Sequence, residues 1–208
     1  MEDVLEVYQR PLNPTVPVIC MDEQPVQLVK EIRQPLPAVP GKPKRVDYEY
    51  ERNGTANIFM FTEPLAGWRD VKVTERRTKT DWALAVRDIL DGRFSDVETV
   101  VFVMDNLNTH GLGSLYEAFQ PTEARRLAER MEIHYTPKHA SWLNIAENEL
   151  SALTTQCLSR RIGTLPELRR EVTAWNQERN RNAVRINWRF SIDRAREKLH
   201  RVYPVIQV

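Results

Sequence analysis

Thr99-Val100-Val101-Phe102-Val103-Met104-Asp105 is an unbroken apolar run that stops at a carboxylate, the pattern of a strand buried on both faces of a sheet. Upstream, Val16-Pro17-Val18-Ile19-Cys20-Met21-Asp22 ends the same way. Downstream, Pro137-Lys138-His139-Ala140-Ser141-Trp142-Leu143-Asn144-Ile145-Ala146-Glu147 carries an acid one or two turns into a predicted helix. Ligands of open α/β sheets gather at the carboxyl ends of the central strands, so Asp22 and Asp105 are expected side by side, with a third acid on a later helix. A single aspartate at a strand end is more often a cap or turn residue; two at adjacent strand ends, joined by a helical acid, reverse those odds. Three carboxylates gathered in this way can hold divalent metal ions against a phosphodiester. Nuclease or polynucleotidyl transferase chemistry is therefore the leading expectation, with Mg2+ as the ion that hard carboxylate oxygens and retained waters suit.

Outward from these segments, residues 1–15 carry two prolines and no strong periodicity, and read as an incoming strap. The first strand is expected to end at Asp22, and the five prolines from Pro25 to Pro43 predict an extended excursion. Arg45 to Glu51 alternates, Asn53-Gly54 is a two-residue turn signal, and Thr55 to Phe61 returns, which predicts a hairpin. A third strand of this meander is expected over Trp68 to Glu75. Thr80 or Asp81 is expected to cap a helix through Leu90, with Trp82, Val86, Ile89 and Leu90 inward and Gly92 past its end. Further helices are predicted from Pro121 to about Met131, from Ser141 onward as the Glu147 helix, from Thr164 with Pro166 in its first turn, and from Ser191 to Val202; a short strand falls at Ile133-His134-Tyr135. Right-handed crossovers then place the first and fourth strands together at the centre of a mixed sheet.

The chain has 208 residues, 41% of them hydrophobic, enough for one substantial core. Two cysteines, Cys20 and Cys157, give no disulfide framework, and the four histidines form no recognisable zinc spacing with them. The acidic start is not a signal peptide and no stretch approaches a membrane span, so a soluble, cytoplasmic protein with no membrane partner is expected. Net charge is only +1, but the segment from Arg160 to Arg201 holds twelve Lys/Arg and five Asp/Glu, +7 locally, against −6 for the rest. A basic tail on an acidic body suits phosphate neutralisation beside acidic catalytic groups, and suits equally a solvated helical face.

The buried stripe Leu143, Ala146, Leu150, Leu153 and Cys157 puts Glu147 and Glu149 near its opposite edges, both able to be solvated. Helical spacing does not choose between them. The block Ser141-Trp142-Leu143-Asn144-Ile145-Ala146-Glu147-Asn148 resembles the third-carboxylate motif of DDE transposases of the mariner-related bacterial insertion-sequence superfamily, in which Trp-Leu-Asn is followed three residues later by the catalytic Glu. Met104-Asp105-Asn106-Leu107-Asn108-Thr109-His110 is similar to its second-aspartate motif and Cys20-Met21-Asp22-Glu23 to its first; Arg52 to Asn57 and Gln156 to Ile162 agree as well. The resemblance runs from about Val16 to Tyr203. It implies an α/β, ribonuclease H-like fold, a mixed five-stranded sheet flanked by helices with additional C-terminal helices. It also implies two Mg2+ ions (or Mn2+), Asp22, Asp105 and Glu147 as catalytic metal ligands, and cut-and-paste transposition of double-stranded DNA, acting on transposon ends and target as a homodimer near the bacterial nucleoid. Members begin with helix-turn-helix domains, whereas this chain starts just before the first strand, so it resembles the catalytic half.

On this reading residues 1–15 are the strap, 16–162 the catalytic domain, and 163–208 a basic helical extension of the same domain. Asn106 and His110 are candidates for orienting a phosphate or metal-bound water, with helix capping as the equal alternative for Asn106. Lys138, His139 and Asn144 flank the third acid and are candidate DNA contacts, as are Arg160, Arg161, Arg169 and Arg170; Trp142 is expected in the core sooner than as a base-stacking platform. Competing readings keep the fold with a structure-selective nuclease such as a junction resolvase, or keep only DNA or protein binding in a decayed or domesticated element. Intact carboxylates and the motif blocks favour the transposase.

Overall fold

Five strands form one mixed sheet of order β3-β2-β1-β4-β5 in the computed structural model, which describes residues 1–43 and 45–202. The strands are β1 (Val18–Glu31), β2 (Tyr50–Glu63), β3 (Trp68–Thr74), β4 (Val100–Met104) and β5 (Met131–Tyr135). The helices are α1 (Glu2–Gln9), α2 (Lys79–Asp91), α3 (Leu112–Ala118), α4 (Pro121–Ala128), α5 (Ala146–Gln156), α6 (Leu165–Arg181) and α7 (Ile192–Lys198). As the crossover argument requires, β1 and β4 are neighbours and parallel, and β4 pairs parallel with β5. β4 is buried at every position, as its continuous apolar run predicts.

Strand alternation divides the core into two layers. Cys20, Ile58, Met60, Val101 and Val103 face α1, α5 and α6 through Val4, Val7, Leu150, Leu153, Leu168 and Val172. Ile19, Met21, Phe59, Phe61, Phe102 and Met104 face Trp82, Val86, Ile89 and Leu90 of α2, with Leu115 of α3 and Leu127 of α4 behind them. α6 begins as predicted, with Thr164 Oγ1 accepting from Glu167 N and a proline in the first turn, and Ser191 caps α7 in the same manner. Among the described residues no helix is long and apolar enough to cross a membrane. Cys20 and Cys157 are both free, the latter only half-buried. Of the expected basic extension, residues 203–208, including Tyr203, lie outside the described residues.

Several local expectations are overturned. The amino-terminal strap contains the helix α1, which buries Val4, Leu5 and Val7. Eight residues are too few to show a helical period convincingly, and tertiary packing supplies the stability. β1 does not stop at Asp22 but continues through Pro25 to Glu31. Beyond Cys20 it has no β4 partner. The N–H of Val29, which points the same way as the Pro25 nitrogen, bonds instead to Ile162 O at 2.8 Å. Pro25 therefore presents its missing donor to an edge, where proline is tolerated.

Asn53-Gly54 makes no hairpin turn. The β1–β2 register pairs Gln27 with Thr55 and Val29 with Arg52, so Leu28 alone is opposed by both Asn53 and Gly54. With φ of 89° at Gly54, this is a β-bulge with glycine in the left-handed region, and the reversal lies in the 32–49 connection, where Leu36 bridges Arg45 and Val39 bridges Lys42. The α2 cap is Thr78, whose hydroxyl and backbone exchange bonds with Asp81 in a capping box, two or three residues earlier than predicted and ahead of the inward face that the pattern identifies correctly. α3 was not foreseen, and Ser141 opens a 3-10 turn, Ser141–Leu143, instead of capping the Glu147 helix.

Gly54→Ala is expected to lower unfolding stability by about 1 kcal/mol, the cost of holding an L residue in left-handed backbone, although a methyl group there would meet no neighbour within 4 Å. Urea unfolding checks this; an unchanged midpoint would mean that the bulge relaxes without cost.

Candidate active site

The parallel ladder of β1 and β4 comprises Val18 with Val101, Ile19 with Phe102, and Cys20 with Val103. Two residues farther along each chain stand Asp22 and Asp105, level with one another and, by alternation, on the face that α5 covers. Asp105 is the first residue past β4, whereas Asp22 lies inside β1, held by its pairing with Met60. The start of α5 is clamped above them. Asn144, 1% exposed, donates from Nδ2 to Met21 O at 2.7 Å and accepts from Ala146 N at 3.1 Å through Oδ1. It thus fastens the helix that carries Glu147 to the residue preceding Asp22. Buried in this way, Asn144 is a positioning group and not the DNA contact that sequence suggested.

The charges show the convergence. The Asp22 carboxyl is pushed up to about 7, first by burial, against the backbone N–H of Glu23, and further by the charges of Asp105 and Glu147. Asp105 is held by His110, whose Nδ1 lies 2.5 Å from Oδ1; the other ring nitrogen lies 3.4 Å from Glu23 Oε2. Burial alone would lower the His110 pKa, but hydrogen bonds to Asp105 and Glu23 push it up to about 9. His110 is fully buried, stacked 6.1 Å from Trp82, so it orients Asp105 and is not placed to touch a phosphate. Glu23, which sequence left without a role, completes this chain and bonds Arg77 at 3.0 Å; its position directly after Asp22, pointing to the opposite face, is the one signal that would have found it. Asn106 is exposed and does not cap α3, whose N-cap is Gly111.

Glu147 and Glu149 are separated by their partners. Glu149 is 1% exposed, with Arg179 donating to it at 2.6 and 3.0 Å and Arg69 Nε 3.0 Å away, which decides what helical spacing left open: Glu149 is not solvated. Asn180 secures the same cluster, exchanging backbone bonds with Arg69 at 2.9 and 2.7 Å. Arg69 is wholly buried, and burial lowers its pKa while Glu149 raises it. Glu149 therefore ties α5 to β3 and α6, and Glu147, half-buried, remains the acid that faces Asp22. Sequence periodicity also missed Tyr8 of α1, whose hydroxyl donates to Leu143 O at 2.7 Å and accepts from Ile145 N at 3.3 Å, holding the segment before α5 from the other side.

The predicted DNA-contact residues are not gathered in one place. Lys138 and His139 are exposed in the turn before the 3-10 segment. Arg160 pairs with Glu171, as does Arg170, and Arg161 bonds Glu31 at 2.6 Å and Glu49 O at 3.0 Å. Glu31 lies nine residues beyond Asp22 on β1, roughly 30 Å along the strand, so Arg160 and Arg161 do not line the carboxylates. Arg169 donates to Val73 O.

The donor set suits a hard divalent cation: three carboxylates, one raised by burial and then by the charges of the other two, with an imidazole orienting a second. Among the described residues no three His, Cys, Asp or Glu side chains are already drawn closely enough to close around one ion.

Comparison with solved structures defines the fold as ribonuclease H-like. The Mos1 mariner paired-end complex with Mn matches with a TM-score of 0.54 at 16% identity, over 87% of this chain and 55% of that one. The Mos1 transposase paired-end complex with left transposon end gives 0.56 at 14% identity, over 88% and 56%. The Mos1 strand transfer complex gives 0.54 at 13% identity, over 87% and 57%. The chain thus spans little more than half the length of these structures. The sequence model of the DDE superfamily endonucleases matches residues 17–169, and the chain belongs to that family. Comparison with curated proteins finds no match.

Glu149→Ala is expected to cost about 3–5 kcal/mol of stability, because it strands the buried Arg69 charge, whereas Glu147→Ala leaves stability within about 0.5 kcal/mol. Denaturant unfolding of the two variants checks the assignment, and equal losses would dissolve the distinction between them.

Proposed function

We propose that this chain is the catalytic domain of a transposase that cleaves DNA strands and transfers them, with Asp22, Asp105 and Glu147 as its catalytic metal ligands. The observation that carries the reading is the position of Asp22, level with Asp105 at the end of the shared parallel ladder and electrostatically coupled to both other acids. Two divalent ions, Mg2+ or Mn2+, bound there would activate a water or 3′-hydroxyl on one side of the phosphorus and stabilise the leaving oxygen on the other. The chain's own groups prepare this. Asp22 gives up its proton when a cation arrives, His110 holds the Asp105 carboxylate in one orientation, and Asn144 with Tyr8 fixes the start of α5 so that Glu147 meets the aspartates. Asn106, exposed just past Asp105, is left free to reach a phosphate oxygen.

Substrate and assembly belong to the same proposal. Double-stranded transposon ends and target DNA, and a homodimer as the active complex, are supported by family membership and by the likeness to Mos1 complexes whose names include paired ends and strand transfer. Residues 16–162 act as the catalytic domain and 163–208 as its extension. Lys138 and His139 are the DNA contacts beside the acids, and Arg160, Arg161, Arg169 and Arg170 lie farther along the phosphate path. As a DNA-acting enzyme the protein works in the cytoplasm at the nucleoid.

Asp22→Ala, Asp105→Ala and Glu147→Ala should each abolish metal-dependent nicking of supercoiled plasmid while circular dichroism shows a folded protein. Retention of cleavage by Asp105→Ala would overturn the reading.

Metal affinity should depend on pH in a defined direction. Below about 7 Asp22 holds a proton that an incoming cation must displace; above it the carboxylate is free. Mn2+ affinity by calorimetry is therefore expected to rise about tenfold per pH unit up to 7 and then level off, with His110 still protonated to about 9. A flat profile from pH 5 to 8 would remove Asp22 from the ligand set.

A further inference from the structure

Trp142 departs from the behaviour of a core tryptophan. Sequence reasoning buries it, yet 45% of it is exposed, beside Leu143, Asn144, Ile145 and Ala146, all of them buried. The indole is nonetheless held in place. Phe190 packs against it edge-on with ring centroids 5.5 Å apart and planes 71° apart, and the 3-10 turn sets its backbone. Tyr8 and Asn144 anchor that turn through Leu143 O and Met21 O, both at 2.7 Å. Only two Cα steps of about 3.8 Å each separate Trp142 from Asn144, whose amide grips the residue before Asp22. On the other side of the turn, Lys138 and His139 are exposed and, among the described residues, have no ion-pair partner. His139 is held at φ of 65°, left-handed backbone that a non-glycine residue adopts at some cost and that is concentrated at functional sites.

A rigid, exposed aromatic face bordered by cationic and donor side chains is how proteins hold single-stranded nucleic acid: the base stacks on the ring and the charges meet the backbone. We propose that Trp142 is a stacking platform for an unpaired nucleobase of the DNA strand whose phosphate lies at Asp22, Asp105 and Glu147, with Lys138 and His139 on the adjoining phosphates. This rests on the DNA-cleaving reading above and deepens it. An attacked phosphodiester is easier to reach when the flanking base has left the duplex, and unstacking costs a few kcal/mol for each base. The indole returns part of that cost by offering the freed base a new π face.

The test uses the whole chain without divalent metal, so that no cleavage intervenes, and a mixed-sequence single-stranded oligonucleotide with 2-aminopurine placed at successive positions. In the wild type, 2-aminopurine fluorescence should be quenched by stacking, and Trp142→Ala should abolish the quenching and weaken single-strand binding about 5- to 150-fold, the range for loss of one stacked base. Trp142→Phe should restore most of both, and binding of a fully paired duplex should be unchanged by either substitution. Unchanged single-strand affinity in Trp142→Ala overturns the proposal. So does an equal loss for single strand and duplex, which would make Trp142 a general contact. A shift in sedimentation of the free protein with single-strand affinity intact would also overturn it, giving the indole to a contact between copies. Mn2+ binding by wild type and Asp105→Ala is read separately. Metal binding without stacking removes only the platform, while stacking without metal binding removes only the catalytic reading.

Discussion

The parallel pairing of β1 with β4 is the constraint on which the site depends. Three residue pairs join the strands, and the ladder ends at Cys20 and Val103, so the next residues of the same face, Asp22 and Asp105, emerge side by side where no further strand separates them. Bringing like charges together under partial burial is costly. The surroundings show how that cost is met: Asp22 is driven towards its neutral form, and Asp105 leans on a protonated His110 that Glu23 helps to charge. On the proposed reading, a cation bound between the aspartates would relieve both strains.

α5 turns two glutamates of one sequence into different devices. Glu149 lies between Arg69 and Arg179. A buried ion pair of this kind is weak evidence for stability, but its directional bonds pin the rotation of α5 against β3 and α6. Asn144 and Tyr8 pin its first turn from β1 and α1. With the helix held at both places, Glu147 has little choice of direction. On the proposed reading such rigid placement would serve catalysis, since a small displacement of a reacting group costs rate steeply.

Charge counted along the chain proved a poor guide to the field around it. Much of the positive excess after Arg160 is committed within the molecule: Arg160 and Arg170 to Glu171, Arg161 to Glu31, Arg179 to Glu149 and Arg181 to Glu178. Lys138 and His139 contribute less to the count yet are exposed and, among the described residues, have no ion-pair partner. Location in the fold, and not abundance, decides which cations can meet a phosphate.

By itself the sequence determined what depends on periodicity and on chain-local stereochemistry. The apolar run ending at Asp105, the inward stripe of α2, the Thr164 and Ser191 caps and the central adjacency of the first and fourth strands were all legible, because burial on both faces, helical spacing and crossover handedness are written along the chain. Only the tertiary structure decided matters that turn on what lies opposite a residue. Asn53-Gly54 carries the composition of a hairpin turn, but Leu28 across the strand makes it a bulge. Glu149 is as polar as Glu147, but two arginines from β3 and α6 bury it. Trp142 looks like core, but the anchored turn around it presents its face outward. Neighbours supplied by distant segments set each of these outcomes, and no local pattern contains them.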